Sequence, residues 1–316
     1  MRTNQHYLKH KMGNSTKDQS LVSIGELFCR ADIIDTHQKI LVSAFNIPLS
    51  VTAFLGNMLI IAALQKPSFL YPPSKLLLGC LASTDLSVDL VTQPLHVIYL
   101  MSTEQFKRCY LVGILSITLG VFLGGLSLFT LTAISVERLL ALLLGLRYRQ
   151  VVTLKRVWIL VVSFCLSNAV ISTTFFYSLR ITAAMTGLAV ATCMLTSIFC
   201  YTKIYSSLRQ HQVSVQDHIQ PNQRNIMLNL ARYRKTVSSV LWVQLTLVAC
   251  YLPHIIVVTM FAISGSASPS LALTWAVTLT LVYFNSSLNP FLYCWKMREV
   301  RKAVKNTISQ FLPYPS

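Results

Sequence analysis

Charge is scarce in this chain, and negative charge scarcest. Only 12% of its 316 residues are Asp, Glu, Lys or Arg, and just ten are acidic. A soluble domain usually carries about 25% charged residues, so a water-borne globular protein is excluded. The mean hydropathy of +0.56 points to a membrane protein. No C-x-x-C pair or zinc spacing is present; the eight Cys sit mostly in apolar runs, where a thiol is ordinary packing material. Met1 to Lys39 holds no apolar core of secretory type, so the first membrane helix must do the targeting. Neither an internal repeat nor a matched pair of broken helices is visible, which counts against a secondary transporter.

What the chain does have is apolar length. Crossing ~30 Å of hydrocarbon takes roughly 20 residues, and seven segments qualify, at about 40–65, 75–101, 109–142, 155–177, 182–208, 233–263 and 271–295. The fold class is therefore an all-α membrane protein, a seven-transmembrane helix bundle. Residues 1–39 form an N-terminal tail, 40–295 the membrane domain, and 296–316 a C-terminal helix and tail.

Lys and Arg orient the bundle. With the N-terminus outside, the outer loops hold only Lys107, Arg108 and Arg180. The inner side takes Lys66, Lys75, Arg147, Arg149, Lys155, Arg156, Arg234, Lys235 and the basic C-tail. Six basic residues in the N-tail run against this, offset by Asp18, Glu26, Asp32 and Asp35. The expectation is an extracellular N-terminus and a cytoplasmic C-terminus. The net charge of +17 then reads as topology and attraction to anionic lipid, not as nucleic-acid binding. Asn14-Ser15-Thr16 is a glycosylation acceptor if the tail faces the lumen. Between Met297 and Leu312, Val300, Ala303, Val304, Ile308 and Phe311 share one helical face, so a short amphipathic helix is expected along the inner leaflet.

Polar groups inside a span are costly and mark function by default. Asp85 and Asp89 are the carboxylates well within a span, four residues apart on one face. Asp85 is either neutral through burial, or ionised and holding a sodium ion with oxygens from Ser127, Asn285, Ser286 and Asn289. In the last span Pro290 removes a backbone donor and must kink the helix; the freed carbonyl needs a partner within the protein, which Asn285 or Asn289 can supply. Glu137-Arg138 ends the third span as adjacent opposite charges, to be read as a separable ion pair or as a snorkelling arginine.

Together these residues resemble the rhodopsin-like G protein-coupled receptors. The resemblance rests on Gly56-Asn57, Leu81-Ala82-Ser83-Thr84-Asp85, Ser135-Val136-Glu137-Arg138-Leu139, Trp158, Cys250-Tyr251-Leu252-Pro253 and Asn289-Pro290-Phe291-Leu292-Tyr293, in the family's order, over about Leu41 to Phe311. It implies a plasma-membrane receptor, not an enzyme, that binds an extracellular ligand and activates a heterotrimeric G protein. By the same resemblance Arg138, released from Glu137, would meet Tyr293 and the G protein, with Tyr201 stabilising that state. Tyr251 and Pro253 would be the switch beneath the ligand. Asp85, Ser127, Asn285 and Asn289 would hold water and sodium, with no other cofactor.

The departures narrow the ligand. Tyr251 stands where the family has tryptophan, Leu139 where it has tyrosine, and Cys193 near the place of a fifth-helix proline. Gly113 occupies the usual disulfide site of the third helix, and the second outer loop has no Cys; a Cys29–Cys109 bond is the expectation in its place. Gly120 stands where amine receptors carry an aspartate, and Tyr283 where opsins carry a lysine. The pattern resembles the melanocortin, lysophospholipid, cannabinoid and adenosine grouping. The expected pocket is lined by Gln93, His96, Gly120, Gly124, His254, Val258, Leu279 and Tyr283 and favours a small molecule or lipid. A peptide or amine receptor of the same fold, and more remotely a seven-span channel or transporter, are the alternatives.

Overall fold

With no water to bond the backbone, each span must satisfy its own N–H and C=O groups, and helix is the solution open to a single segment. The computed structural model describes residues 29, 34–65, 71–102, 106–216, 245–264, 268–296, 300–302 and 304–306. Seven helices in it are long and apolar enough to cross a membrane: α1 (Thr36–Gln65), α2 (Pro72–Met101), α3 (Phe106–Leu144), α4 (Leu154–Thr173), α5 (Leu179–Gln216), α6 (Leu245–Ser264) and α7 (Pro269–Lys296). No strand occurs among the described residues. The outer surface is apolar, with Phe45, Ile159, Leu166 and Leu195 exposed, whereas Asn46, Asn57, Asp85 and Asn289 are buried. That inversion of the soluble pattern is what lipid imposes.

The helices meet as α1 on α2 and α7, and α3 on α2, α4 and α5. Gly125 of α3 lies directly against the Asn168 side chain of α4, where no Cβ would fit. Small residues of this kind let membrane helices approach closely. At the outer end Cys29 and Cys109 are joined by a disulfide, Cα–Cα 5.8 Å, tying the N-terminal segment to the first turn of α3. Gly113, one turn further, is filled by the Tyr99 ring: a Cβ there would sit 2.9 Å from it.

Two prolines reshape the helices. Pro94 lacks an N–H and its ring crowds the carbonyl one turn back; α2 accommodates it with a π-turn over Val88–Thr92. The irregular turn leaves the Asp89 carbonyl to accept from the Ser50 hydroxyl of α1 at 2.6 Å. In α7, Pro290 frees the carbonyl of Ser286. Its partner is Asn57 of α1, whose amide reaches Ser286 O at 3.4 Å, so neither Asn285 nor Asn289 supplies it as the sequence suggested. Gly56 makes the approach possible, since a Cβ there would lie 3.0 Å from the Pro290 ring.

On the inner side, Gly145 adopts φ +50°, a left-handed conformation that suits glycine. The chain turns there through Gly145–Arg147 into a one-turn helix, Tyr148–Val151. Beyond α7, Val300 and Val304 are buried against Ile60, Ala63 and Leu64 of α1 and Leu78 and Ala82 of α2. Arg301, Lys302 and Lys305 remain exposed. The apolar face expected to lie on the inner leaflet is, for these two valines, turned into the end of the bundle. Asn14, Ala303, Ile308 and Phe311 fall outside the described residues.

Candidate functional site

Three layers follow one another through the bundle. The outermost is a cavity of about 120 Å³ walled by α3, α4, α5, α6 and α7. Gly120 and Gly124 open it on the α3 side: a Cβ on Gly120 would meet only Thr92 Cγ2 at 3.5 Å, and one on Gly124 nothing within 4 Å. His254, Val258, Leu279 and Tyr283 also line it, with Tyr251 and Trp275. Among the described residues that line the cavity there is no Asp, Glu, Lys or Arg. His254 is tethered, its Nδ1 lying 3.2 Å from the Thr278 hydroxyl of α7.

The structure does not bring Gln93 and His96 to this wall. Both are fully buried one layer behind it. The Gln93 amide donates to Asn46 O at 2.9 Å and Asn46 Oδ1 at 3.1 Å, because this face of α2 packs on α1. His96 sits against the rings of Tyr99, Trp275 and Tyr283, with centroids 5.5 Å from Trp275 and 5.7 Å from Tyr283. Neither of its ring nitrogens meets a hydrogen-bond partner.

The middle layer centres on Asp85. Oδ1 accepts from the hydroxyls of Ser127 (2.9 Å) and Ser286 (3.2 Å), and Oδ2 from the Asn289 amide (2.7 Å). Asp85 is completely buried, and these three donors on α3 and α7 replace the water it gave up. Asn285 does not join them; its amide nitrogen is buried without a partner. Asp89 is held separately by Asn57 Nδ2 at 3.2 Å. One carboxylate and two serine hydroxyls form an oxygen-donor set of the type hard cations take. Among the described residues no cluster of three His, Cys, Asp or Glu exists.

Tyr251 bridges the two layers, its hydroxyl donating to Gly124 O at 3.4 Å. The innermost layer is built on Glu137, which is buried. Its Oε2 lies 3.3 Å from Arg138 Nε, while Oε1 accepts from Ser74 at 2.6 Å and from Tyr148. Tyr71 stacks near Tyr148, ring centroids 5.3 Å apart, and donates to Val152 O at 2.9 Å. Sequence reasoning missed Ser74 and Tyr148, since the signal lies in a tertiary fold-back and not in any spacing. The Tyr201 hydroxyl meets Ser135 of α3 at 2.6 Å, one turn from Arg138. Pro253 lies within α6 between Tyr251 and His254. The Tyr293 side chain lies outside the described residues.

Comparison with known sequences agrees with this architecture. The profile of the 7 transmembrane receptor (rhodopsin family) matches residues 56–185 and 175–293. A high-affinity lysophosphatidic acid receptor of Xenopus laevis is 24% identical, over 85% of this chain and 82% of its own length. With the match spanning most of the bundle, and seven membrane-length helices beneath it, the chain belongs to the rhodopsin family of seven-transmembrane receptors.

Proposed function

We propose that this receptor stands in the plasma membrane with residues 1–39 outside and 296–316 in the cytoplasm, and that the apolar cavity takes a neutral, lipid-like or other small apolar ligand. One observation carries this reading: two of the helices that wall the cavity, α3 and α7, also hold the buried carboxylate beneath it. On α3, Leu128 lines the cavity and its neighbour Ser127 donates to Asp85. On α7, Tyr283 lines it and Ser286, three residues on, donates to the same oxygen. A ligand that shifts either wall must disturb the bonds around Asp85. Ligands act on such two-state elements only through differential affinity.

The charge pattern selects the ligand class. A cationic amine would find no carboxylate in the cavity wall, and an anionic headgroup would find no Lys or Arg. The named ligand of the Xenopus relative is a lysophosphatidic acid; here such a headgroup would have no counter-charge within the cavity. Asp85, Ser127, Ser286 and Asn289 would hold a sodium ion in the resting state, its chemistry being to neutralise the buried carboxylate. Displacement of α6 about Tyr251 and Pro253 would open the inner face, and Arg138, freed from Glu137, would meet the heterotrimeric G protein.

The test is nucleotide exchange on purified heterotrimers by the receptor in lipid nanodiscs, with Arg138→Ala as control. Exchange that rises with neutral lipid-like ligands and collapses in Arg138→Ala is expected. Exchange indifferent to Arg138 would overturn the coupling role. Glycosidase sensitivity at Asn14 on intact cells checks the orientation.

A further inference from the structure

A second opening, of about 460 Å³, lies on the lipid-facing side between the outer ends of α5 and α6. Its α5 wall is made of small residues, Ala183, Ala184 and Gly187, and its α6 wall of Thr259, Ala262 and Ile263. A Cβ on Gly187 would meet only Ile255 Cγ2, at 3.8 Å. At its mouth stands Arg180, exposed, in the first turn of α5. Its Nε donates to Ala262 O across the cleft at 2.9 Å. That bond fixes the guanidinium beside the opening and leaves its terminal nitrogens unspent. Neither α5 nor α6 contains an Asp or Glu, and α4 and α7 contain none either. Arg180 is thus a cation at the membrane interface with no acidic partner on any helix around it.

From this geometry we infer that the α5–α6 cleft is a binding site for a single-chain anionic lipid, with the headgroup on Arg180 and the acyl chain against Ala184 and Gly187. The reach from Arg180 to Leu188 along α5 is roughly 12 Å, close to the ~15 Å depth of one leaflet's hydrocarbon. The volume is that of one small-ligand pocket, the scale of a single chain. A fixed guanidinium matches a phosphate or carboxylate with paired donors. The cleft shares Ala183 with the inner cavity, the two lying on adjacent faces of α5. A lipid seated there therefore presses on the same helix that a cavity ligand touches. The inference needs only that the chain crosses a bilayer. With the N-terminus outside, the lipid comes from the outer leaflet.

Native mass spectrometry of the full receptor from mixed micelles tests it, with oleoyl lysophosphatidate and oleoyl lysophosphatidylcholine as probes sharing one chain. The wild type retains the anionic probe preferentially. Arg180→Gln lowers that preference about fivefold, the worth of one basic residue near a charged lipid, and Arg180→Lys keeps most of it. Gly187→Leu fills the cleft and reduces retention of both probes. Equal retention of the two probes by the wild type, or an unchanged preference in Arg180→Gln, overturns the inference. Thermal melting of each variant separates loss of the site from loss of the fold. Nucleotide exchange run in parallel reports on the receptor reading alone: retention without exchange sinks that reading and leaves the lipid site, and exchange without retention does the reverse.

Discussion

Asn57 offers the sharpest test of how α1, α2 and α7 are held together. Its amide nitrogen reaches three acceptors: Ala53 O of its own helix at 3.0 Å, and two with no other donor in view, Asp89 Oδ2 at 3.2 Å and the Ser286 carbonyl, freed by Pro290, at 3.4 Å. The other oxygen of Asp89 already lacks a partner. Asn57→Ala therefore strands two buried acceptors at about 1–3 kcal/mol each, a loss of about 2–6 kcal/mol in all. If the Ser286 share is real, Pro290→Ala must reduce it, because residue 290 regains an N–H and α7 can close that bond itself. The contact is long, which sets its share near 1 kcal/mol, above the ~0.3–0.5 kcal/mol scatter of independent sites. The assay is unfolding of purified receptor in mixed micelles by increasing SDS, followed by far-UV circular dichroism, for both single variants and the double. Equal cost of Asn57→Ala with and without Pro290 would refute the reasoning.

Three further outcomes follow from the same geometry. Gly113→Ala should destabilise by about 1–3 kcal/mol as its Cβ forces the buried Tyr99 ring aside, whereas Gly124→Ala, with nothing within 4 Å, should not; melting temperatures of the pair decide. Cys29→Ser should cost about 2–5 kcal/mol for a bridge closing 80 residues; reductant should lower the wild type to the same melting point and leave the variant unmoved. Tyr148→Phe removes a donor from buried Glu137 and weakens its hold on Arg138, so ligand-free nucleotide exchange should rise about fivefold for ~1 kcal/mol. An unchanged or lower rate would show that this contact does not hold the resting state.

The spans were legible because hydrocarbon enforces one rule on every residue in them, and a run such as Leu154 to Thr173 can satisfy it in one way. The π-turn of α2 was not. Pro94 announces trouble in the helix, but a kink, a water or a π-turn each resolves it, and the choice depends on Ser50 of a neighbouring helix. The partner of Ser286 O was misassigned for the same reason. Asn285 and Asn289 are near in sequence, yet their faces of α7 point elsewhere, and Asn57 comes 229 residues away in the chain. Gln93 and His96 carry polar groups within a span; only packing shows that they turn toward α1 and the aromatic layer. Amphipathicity around Val300 is equally consistent with a leaflet and with a bundle end, since both are apolar.

The distribution of buried hydrogen bonds explains which part of such a bundle can move. α1, α2 and α7 are bonded to one another at several depths: Asn46 to Thr280, Gln93 to Asn46, Ser50 to Asp89, Asn57 to Ser286, Ser287 to Leu49, Asn289 to Asp85. Separating them within hydrocarbon would leave these groups unpaired at kilocalories each. Of the described residues of α6, Tyr251, His254 and Ala262 carry bonds to α3, α7 and α5. Apolar packing can be exchanged for lipid at little cost, because lipid tails are as apolar as the side chains they replace. A tilt of α1 or α7 would instead break a polar contact at nearly every turn. Polar side chains thus tie α1, α2 and α7 into one unit, and the cavity lies where α7 of that unit meets α3, α4, α5 and α6.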